Sequence, residues 1–422
     1  MKMKQKLINY IEENKDQLFG ILCDLVDINT ENFGTSGNEK ALTEHLQGKY
    51  TKLGLASDVY SPDSIPNIKE HPDYLSGRNL EDRPNITVKL AGSDPKKALM
   101  LAGHLDTMPV GDEKLWSVPP VKGTIKDGKI YGRGANDDKH SLAIQLFLAK
   151  AFKELGIELK NDLYLTGYVD EEFGGGDGAL ACCLKYPCDF YINIDSDYID
   201  IIHCGAGGQR VAIELGHPEL KDSCEDMIEA IYLAKKEIDK FGARRKAEMS
   251  KDPYFKETVV PGKALRYMNV VSGLNTNDRN RGIVDFAFYT DRPWETIKCE
   301  YDELFAAIDR AIAHLGIKIN NVIYRSRFFR YAVTDKEHKC IKTLRNSAQK
   351  TLGRDLKVCG MSLSDLNIFI NNSNGNAISC GVCRGFADEG GAHQPNEYVI
   401  CDELVDLTKL IAEFIFDWDS LN

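Results

Sequence analysis

Three consecutive carboxylates, Asp170, Glu171 and Glu172, follow an apolar run at 163–165 and precede Gly174. Like charges in a row repel one another unless a positive group lies among them. The apolar run predicts a buried strand, which would deliver the three acids to a crevice at its carboxyl end and not to a solvated helix face. A chain with this stretch is therefore expected to fold around a metal ion bound beside it.

Length, composition and charge restrict the class of protein. The chain has 422 residues, of which 43% are hydrophobic and 28% charged, which is enough for two or three globular domains. The net charge of -11 argues against nucleic acid or an anionic membrane as a partner, because both require clustered Lys and Arg. No apolar run approaches the ~18 residues of a membrane span. We therefore predict that neither nucleic acid nor a membrane is a partner.

The cysteines bear on location. Twelve cysteines occur in a chain whose start, Met1 to Val26, has amphipathic-helix spacing and no continuous apolar leader. Free thiols in a reducing cytosol are therefore expected, which predicts a cytoplasmic protein. Cys380 and Cys383 have the spacing of a metal clip, but no second close pair accompanies them. Buried strand thiols are the favoured interpretation of this pair, with a zinc or redox site as the alternative.

Hydrophobic periodicity predicts an α/β fold for most of the chain. Two amphipathic helices, at 4–28 and 38–54, come first. A proline-rich stretch from Ser61 to Pro84 follows, and it is either a loop that shapes a site or simple surface. From Asn85 to Ile194, short apolar strands alternate with helical segments. This alternation predicts a mixed, mostly parallel sheet flanked by helices.

A different pattern begins after the glycine-rich segment 205–208. It contains two predicted strands, at 210–215 and 284–289, and two predicted helices, at 225–241 and 300–315. Such a mixture is typical of a small α+β module inserted in a larger one. The alternating pattern resumes near Val333. We therefore predict one domain formed by residues 1–207 and 331–422, interrupted by an inserted domain at 208–330.

Potential metal ligands follow several predicted strands. They are His104 and Asp106, Asp137 and Asp138, Glu171 and Glu172, Asp195 and Asp197, and His393. In open α/β sheets ligands gather at the carboxyl ends of the strands, so residues distant in sequence are expected to converge there. A mixture of imidazole and carboxylate suits zinc, manganese or cobalt better than an all-oxygen calcium site or an all-thiolate structural site.

The spacing of these residues suggests separate roles. The i, i+2 spacing of His104 and Asp106 puts both on one strand face, where Asp106 can hold the imidazole nitrogen that does not bind metal. Glu171 and Glu172 are adjacent and would point to opposite faces of a strand. One of them is therefore expected to bind metal, while the other is free to act on water.

Four motifs together resemble those of a known family. They are Gly103-His-Leu-Asp-Thr-Met-Pro-Val110, Gly132-Arg-Gly-Ala-Asn-Asp-Asp-Lys139, Asp170-Glu-Glu172 and Ala392-His-Gln-Pro-Asn-Glu-Tyr398. Their order and spacing resemble the dinuclear zinc hydrolases, which include glutamate carboxypeptidases, aminoacylases, acetylornithine and succinyl-diaminopimelate deacylases, and cytosolic dipeptidases such as carnosinase. The resemblance covers essentially the whole chain and is weakest from about 208 to 330.

The resemblance implies a zinc-exopeptidase-like catalytic domain with an inserted α+β lid and dimerisation domain at 208–330. It also implies two divalent metal ions, with Zn²⁺ favoured and Mn²⁺ or Co²⁺ as alternatives. Asp137 would bridge the two metals, and the peptide bond after it would be cis. Glu172 and His393 would bind one metal, while His104 and Asp195 would bind the other.

Two further residues would act beside the metals. Glu171 would be the general base that deprotonates water and later protonates the leaving amine, and Asp106 would support it from behind the ligands. The sequence departs from the family pattern at two positions. Asp195 replaces a glutamate found in many deacylases, which points to di- and tripeptidases, and Asp197 is a rival ligand. His140 stands where the family has glycine and is read as a helix-start residue that narrows the site.

The inserted domain offers three candidate substrate-binding residues. His217 would replace the family's lid histidine, which stabilises an oxyanion, although it is equally compatible with an ordinary turn. Arg292 matches a family arginine near the substrate carboxylate, and a surface ion pair is the alternative. Asn275 is the third candidate.

The leading hypothesis is therefore a metal-dependent hydrolase that cleaves an amide bond in short peptides, as a dipeptidase, aminopeptidase or carboxypeptidase does. An N-acyl amino acid deacylase, similar to those for acetylornithine or succinyl-diaminopimelate, is the alternative. A non-catalytic homologue that binds metal or ligand is an alternative of another class. The family resemblance also makes a homodimer through the lid domain possible.

Overall fold

The computed structural model describes residues 2–217, 224–252, 254, 264–273 and 280–421. No helix in these ranges is long and apolar enough to cross a membrane. The helices are α1 (Lys2–Glu13), α2 (Lys15–Val26), α3 (Lys40–Lys52), α4 (Lys139–Leu155), α5 (Asp177–Lys185), α6 (Cys224–Met249), α7 (Trp294–Ile312), α8 (Lys339–Thr351), α9 (Leu366–Asn372) and α10 (Cys401–Asp419).

The strands are β1 (Ser57–Tyr60), β2 (Asn85–Leu90), β3 (Ala98–His104), β4 (Thr124–Lys126), β5 (Lys129–Tyr131), β6 (Asp162–Tyr168), β7 (Phe190–Asn193), β8 (Ile201–Gly205), β9 (Gly207–Gly216), β10 (Leu265–Ser272), β11 (Arg281–Thr290), β12 (Lys318–Tyr324), β13 (Ala332–Val333), β14 (Val358–Met361), β15 (Ala377–Ser379) and β16 (Tyr398–Ile400).

The chain forms two compact units. One consists of Met1–His203, Val333–Cys359 and Ile368–Asn422, and the other of Cys204–Ala332 and Gly360–Asn367. The smaller unit thus includes an eight-residue segment, 360–367, that the sequence-based division placed with the larger domain. The catalytic and lid roles of the two domains remain predictions.

A nine-stranded mixed sheet has the order β1-β2-β6-β3-β7-β15-β8-β13, with β14 beside β8. Its centre, β6-β3-β7-β15, is parallel and lies in the larger unit. Strands buried on both faces are apolar throughout, which is why Leu99 to Ala102 reads as a continuous run. Helices α4 and α10 contribute Phe147 and Ile411 to the same core as Leu101. The predicted α/β class, with a mostly parallel sheet flanked by helices, is confirmed.

Two local predictions in the larger unit were wrong. The first helix is interrupted, because Asn14 leaves helical geometry at φ -117° and ψ 18° between α1 and α2. Apolar spacing continues through this break, so periodicity alone cannot reveal it. In addition, β5, the strand that precedes Asp137, is not in the central sheet. It lies in a three-stranded sheet of order β16-β5-β4.

The smaller unit contains a four-stranded antiparallel sheet of order β10-β11-β9-β12. Helices α6 and α7 share a core with it that includes Phe241, Phe286 and Tyr301. The two central strands, β9 and β11, were predicted from sequence, whereas the edge strands β10 and β12 were not. Both edge strands are partly exposed and polar, so they lack the apolar run that identified the other two.

Candidate metal centre

Parallel strands bring the predicted ligands to one edge of the large sheet. His104 is the last residue of β3 and pairs in register with Tyr168, the last residue of β6. Strand β7 ends at Asn193, two residues before Asp195, and runs parallel to β3 on its other side. The adjacent strand ends therefore place His104, the 170–172 turn and the 195–197 segment next to one another.

His104 and Asp137 form the centre of the cluster. The His104 side chain is fully buried, and its Nε2 lies 2.8 Å from Asp137 Oδ1. Its Nδ1 lies 2.8 Å from the backbone oxygen of Asp106, so Nδ1 is the donor to that carbonyl and Nε2 faces the cluster. Burial alone would lower the pKa of His104, but Asp137 and its neighbouring carboxylates raise it well above the ordinary value.

His393 and Glu172 complete the cluster on the other side of Asp137. His393 Nε2 lies 2.7 Å from Glu172 Oε2 and 3.3 Å from Asp137 Oδ2. Glu172 Oε1 accepts a hydrogen bond from the backbone N–H of Met108 at 2.8 Å. Single ligand atoms of His104, Asp137 and Glu172 lie within 4.8 Å of one another. The structure thus gathers three of the other four predicted ligands, His104, Glu172 and His393, around Asp137.

Asp195 and Asp197 lie close enough to this cluster for the charge of Asp137 to change their pKa values. Burial and the Asp137 carboxylate raise the pKa of Asp195 to about 7, and the same two causes raise that of Asp197 to about 6. Asp195 Oδ1 lies 3.8 Å from the Cys383 thiol, which also donates to the backbone oxygen of Asn136. Cys380 and Cys383 are both thiols and form no disulfide with one another.

The role expected of the Asp106 carboxylate is not what the structure shows. Its Oδ1 is 3.7 Å from His104 Nδ1, which is instead satisfied by the Asp106 backbone. Asp106 Oδ2 accepts hydrogen bonds from the backbone N–H groups of Glu171 at 3.0 Å and Glu172 at 3.1 Å, and from Asn32 Nδ2 at 2.8 Å. The strand ends at His104, so the i, i+2 argument for one strand face does not extend to residue 106. The carboxylate positions the glutamate turn and not the imidazole.

Asp170 braces that turn from the other side. It adopts a left-handed backbone conformation, with φ 68°, and is fully buried. Arg83 Nη1 lies 3.1 Å from its Oδ1, and Arg78 Nε lies 3.5 Å from its Oδ2. Arg78 also donates to the backbone oxygen of Phe173 at 2.6 Å. The proline-rich stretch at 61–84 therefore supplies two arginines that support the turn carrying Glu171.

The Asp137–Asp138 peptide is cis, as the resemblance implied. Asp138 Oδ2 accepts from Ser141 Oγ at 2.8 Å and from the backbone N–H of His104 at 3.1 Å. His140 is fully buried, and its Nδ1 lies 3.3 Å from Asp138 Oδ1. Burial lowers the pKa of His140 to about 4, so the imidazole is neutral at physiological pH. His140 packs behind the cluster at the start of α4.

Sequence reasoning missed three residues that hold this centre together. Asn32, 74 positions before Asp106, is one of them. Glu397 accepts backbone hydrogen bonds from the loop that ends at Asp137, and Arg133 pairs with it. Glu397 and Arg133 lie inside two of the recognised motifs, which was a signal of importance but not of role. Nothing in the sequence pointed to Asn32.

The candidate residues of the smaller unit do not converge. His217 follows Gly216, which pairs with Arg281, whereas Arg292 follows Thr290 at the opposite end of the same sheet. About nine residues of strand, or roughly 30 Å, separate these ends. The Arg292 side chain is 48% exposed and lies 3.4 Å from Glu248, as expected for a surface ion pair. Asn275 lies outside the described residues.

The residues present fit a divalent metal site. Glu172, Asp137 and Asp195 are carboxylates crowded into one buried region, where burial and then the charge of Asp137 raise the pKa of Glu172 and Asp195. A cation among them would keep these groups ionised. Two imidazoles whose Nε2 atoms face these carboxylates complete a nitrogen and oxygen donor set of the kind that zinc prefers.

Comparison with known proteins agrees with this chemistry. The sequence profile of the family described as peptidase family M20/M25/M40 matches residues 100–417. The N-formyl-4-amino-5-aminomethyl-2-methylpyrimidine deformylase of Bacillus subtilis (strain 168) is 27% identical over 452 aligned positions, covering 97% of this chain and 96% of that protein. The succinyl-diaminopimelate desuccinylase of Blochmanniella floridana is 38% identical over 115 positions, covering 25% of this chain and 30% of that protein.

Solved structures share the whole fold. The di-peptidase Dug1p from Saccharomyces cerevisiae superimposes with a TM-score of 0.77 at 17% identity, covering 100% of both chains. Human carnosine dipeptidase 1 superimposes with a TM-score of 0.73 at 15% identity, covering 99% of each chain. At this level of identity, the similarity establishes a common architecture and not a common substrate.

Proposed function

Because this chain belongs to peptidase family M20/M25/M40 and is a metallohydrolase of C–N bonds, we propose that it cleaves one amide bond of a small substrate at the centre around Asp137, with short peptides as the first substrate class. The observation that carries the proposal is the convergence of His104, Asp137, Glu172 and His393 beside Glu171. The resemblance drawn from the four motifs is confirmed, and a non-catalytic role is not retained.

Two metal ions, with zinc favoured, are the proposed cofactors. Support comes from Asp137, whose Oδ1 faces His104 and whose Oδ2 faces His393, so that its two oxygens are directed to different histidines. Asp137 is therefore the proposed bridge between a Glu172 and His393 site and a His104 and Asp195 site. When bound, divalent metals act as Lewis acids that lower the pKa of water and polarise a carbonyl group.

The proton is handled by the chain's own residues. Glu171 is proposed to take a proton from the attacking water as the C–O bond forms, and to give it to the amide nitrogen as the C–N bond breaks. The Glu171 side chain is only partly buried, which leaves it accessible to a substrate. Its backbone is fixed by the hydrogen bond to Asp106. The two glutamates of the turn thus have different proposed roles, with Glu172 directed to His393 and Glu171 carrying the proton.

A second substrate class has a specific observation in its favour. One relative that aligns over nearly the whole chain is a deformylase, whose substrate is an N-acyl amine and not a peptide. The reaction at the metal centre would be the same in both cases, since both break an amide C–N bond. Asp195 favours peptides and the sequence relative favours N-acyl amines, so N-acyl deacylation is the alternative function.

A substrate panel separates the two classes. The purified chain would be assayed with dipeptides and tripeptides, and in parallel with N-formyl, N-acetyl and N-succinyl amines, with zinc, manganese and cobalt supplied in turn. Turnover of peptides supports the first proposal. Robust deacylation without peptide turnover would replace it by the second, and no hydrolysis of any amide with any metal would contradict both.

A further inference from the structure

Glu397 forms a buried cradle for the loop that carries Asp137. Its Oε1 accepts hydrogen bonds from three backbone N–H groups, those of Gly134 at 2.9 Å, Asn136 at 2.9 Å and Asp137 at 3.0 Å. The side chain is 1% exposed, so water does not compete for these donors. One carboxylate oxygen therefore fixes the backbone from Gly134 to Asp137.

Arg133 connects this cradle to two further segments. Its Nη1 contacts Glu397 Oε2 directly, and its Nη2 lies 3.4 Å from the backbone oxygens of both Pro109 and His393. The guanidinium carbon also lies 5.3 Å from the centre of the Trp116 ring. A single buried guanidinium thus reaches the segment that follows His104, the backbone of His393 and the residue that holds Asp137.

The contacts join segments that sequence keeps far apart. Arg133 and Glu397 are separated by 264 positions. The side chain of Asn136 adds a second link between distant segments, because its Oδ1 accepts a hydrogen bond from the backbone N–H of Arg384 at 2.6 Å. Apart from their ion pair with one another and the packing of Arg133 against Trp116, the contacts of these two side chains are with backbone atoms. Those atoms belong to the loop that carries Asp137, to His393 and to Pro109.

We propose that Glu397 and Arg133 are positioning residues that set the orientation of Asp137 between His104 and His393. This inference rests on the proposed metal centre. A buried carboxylate is required because its oxygen must accept three N–H groups at once, while its other oxygen offsets the guanidinium charge. A planar guanidinium is required because three acceptors in different directions must be reached from one side chain.

Conservative substitutions test both requirements. In Glu397→Gln the side chain keeps its size, but one carboxylate oxygen, an acceptor, becomes an NH₂ group, a donor. The loop N–H groups and Arg133 are all donors, so the NH₂ group would face a donor in either orientation of the amide and would lose hydrogen bonds. In Arg133→Lys the charge is kept, but a single ammonium cannot replace the planar fork. Glu389→Gln is the matched control, since Glu389 is exposed and lies in the same loop region.

Three measurements would be made on each purified full-length variant: metal affinity by competition with a chromogenic chelator, the visible spectrum of the Co²⁺-loaded protein, and thermal unfolding in EDTA. We expect roughly a tenfold or greater loss of metal affinity and an altered Co²⁺ spectrum for Glu397→Gln and Arg133→Lys, because supporting residues of metal ligands have effects of about this size. Glu389→Gln should match the wild type in all three.

The outcomes separate this inference from the metal centre itself. A wild-type chain that binds no metal would refute the proposed function and the inference with it. A wild-type chain that binds two metals, with Glu397→Gln folded and unchanged in affinity and spectrum, would refute the positioning role alone. Should Glu397→Gln fail to fold, Arg133→Lys decides, and wild-type affinity in that variant would contradict the proposal.

Discussion

The substitution Asp106→Asn distinguishes two explanations of this aspartate. If its carboxylate fixed the His104 tautomer, the variant would lose metal. The structure gives that task to the Asp106 backbone oxygen, which the substitution leaves in place. It assigns to the carboxylate the orientation of the turn that holds Glu171 and Glu172.

The size of the effect follows from the contacts. Asp106 Oδ2 accepts from three donors, the N–H groups of Glu171 and Glu172 and the Asn32 amide. Replacing a charged acceptor by a neutral amide oxygen costs about 1 kcal/mol for each bond, so the turn, which makes two of the three bonds, loses about 2 kcal/mol of support. If this loss is expressed fully as misplacement of Glu171, turnover falls by roughly 30-fold, at about 1.4 kcal/mol for each tenfold.

Metal should remain bound in this variant. Glu172 has an anchor of its own in the N–H of Met108, and the other ligands do not touch the Asp106 carboxylate closely. The assay is kcat for a substrate found in the panel, with metal content measured on the same preparation. Asp112→Asn, at an exposed position six residues further on, is the control. Loss of metal with the lost activity, or full turnover, would refute the reasoning.

Three further predictions concern stability. Addition of zinc at about 100 times Kd to the metal-free protein should raise the free energy of unfolding by about 2.7 kcal/mol, and an unchanged melting temperature would count against a native metal site. Asp417→Asn should cost about 1 kcal/mol at pH 7, because hydrogen bonds from Lys350 and Lys4 outweigh burial and lower the pKa of Asp417 below its ordinary 3.8, although solvent screens the pairs. Since the pKa of Asp417 is lower in the folded state than in the unfolded state, this contribution is present above pH 3.8 and is lost below it. Denaturant titrations in EDTA should therefore show that the difference in unfolding free energy between wild type and variant disappears below about pH 4. A difference that stays constant with pH would exclude the ion pairs as its source. Gly103→Ala should destabilise by about 2 kcal/mol or more, since a Cβ there would lie 1.8 Å from Ser141 Oγ, and denaturant unfolding with a wild-type midpoint would contradict this.

The sequence predicted those parts of the molecule that depend on local pattern. The inner strands β2, β3, β6, β7 and β15 of the large sheet were recognisable because they are largely buried, and the ligands because each follows such a strand or lies in a motif. The remaining strands of that sheet, β1, β8, β13 and β14, were not predicted. The break at Asn14 and the edge strands β10 and β12 were missed. A single residue that leaves helical geometry does not disturb the apolar repeat of the helix. Half-exposed strands with polar residues do not produce a regular apolar repeat.

Contacts between distant segments were beyond prediction. Asn32 and Asp106 are 74 positions apart, and the bond between them exists only because two loops meet at one sheet edge. The role of Asp106 was assigned incorrectly for the same reason, since the strand that would have placed its side chain beside His104 ends at His104. In the smaller unit, pairing of β9 with β11 separates His217 from Arg292, which spacing along the chain could not show.

We propose that Asp137, Glu172 and the two histidines His104 and His393 hold the metals while Glu171 moves the proton. Glu171→Gln tests it directly, because the amide keeps the size of the side chain and removes its basicity. One preparation would be analysed for metal by elemental analysis and for kcat with a panel substrate. We expect two metals per chain, as in the wild type, with turnover reduced by about 10²–10⁴-fold. Near-normal turnover by this variant would contradict it.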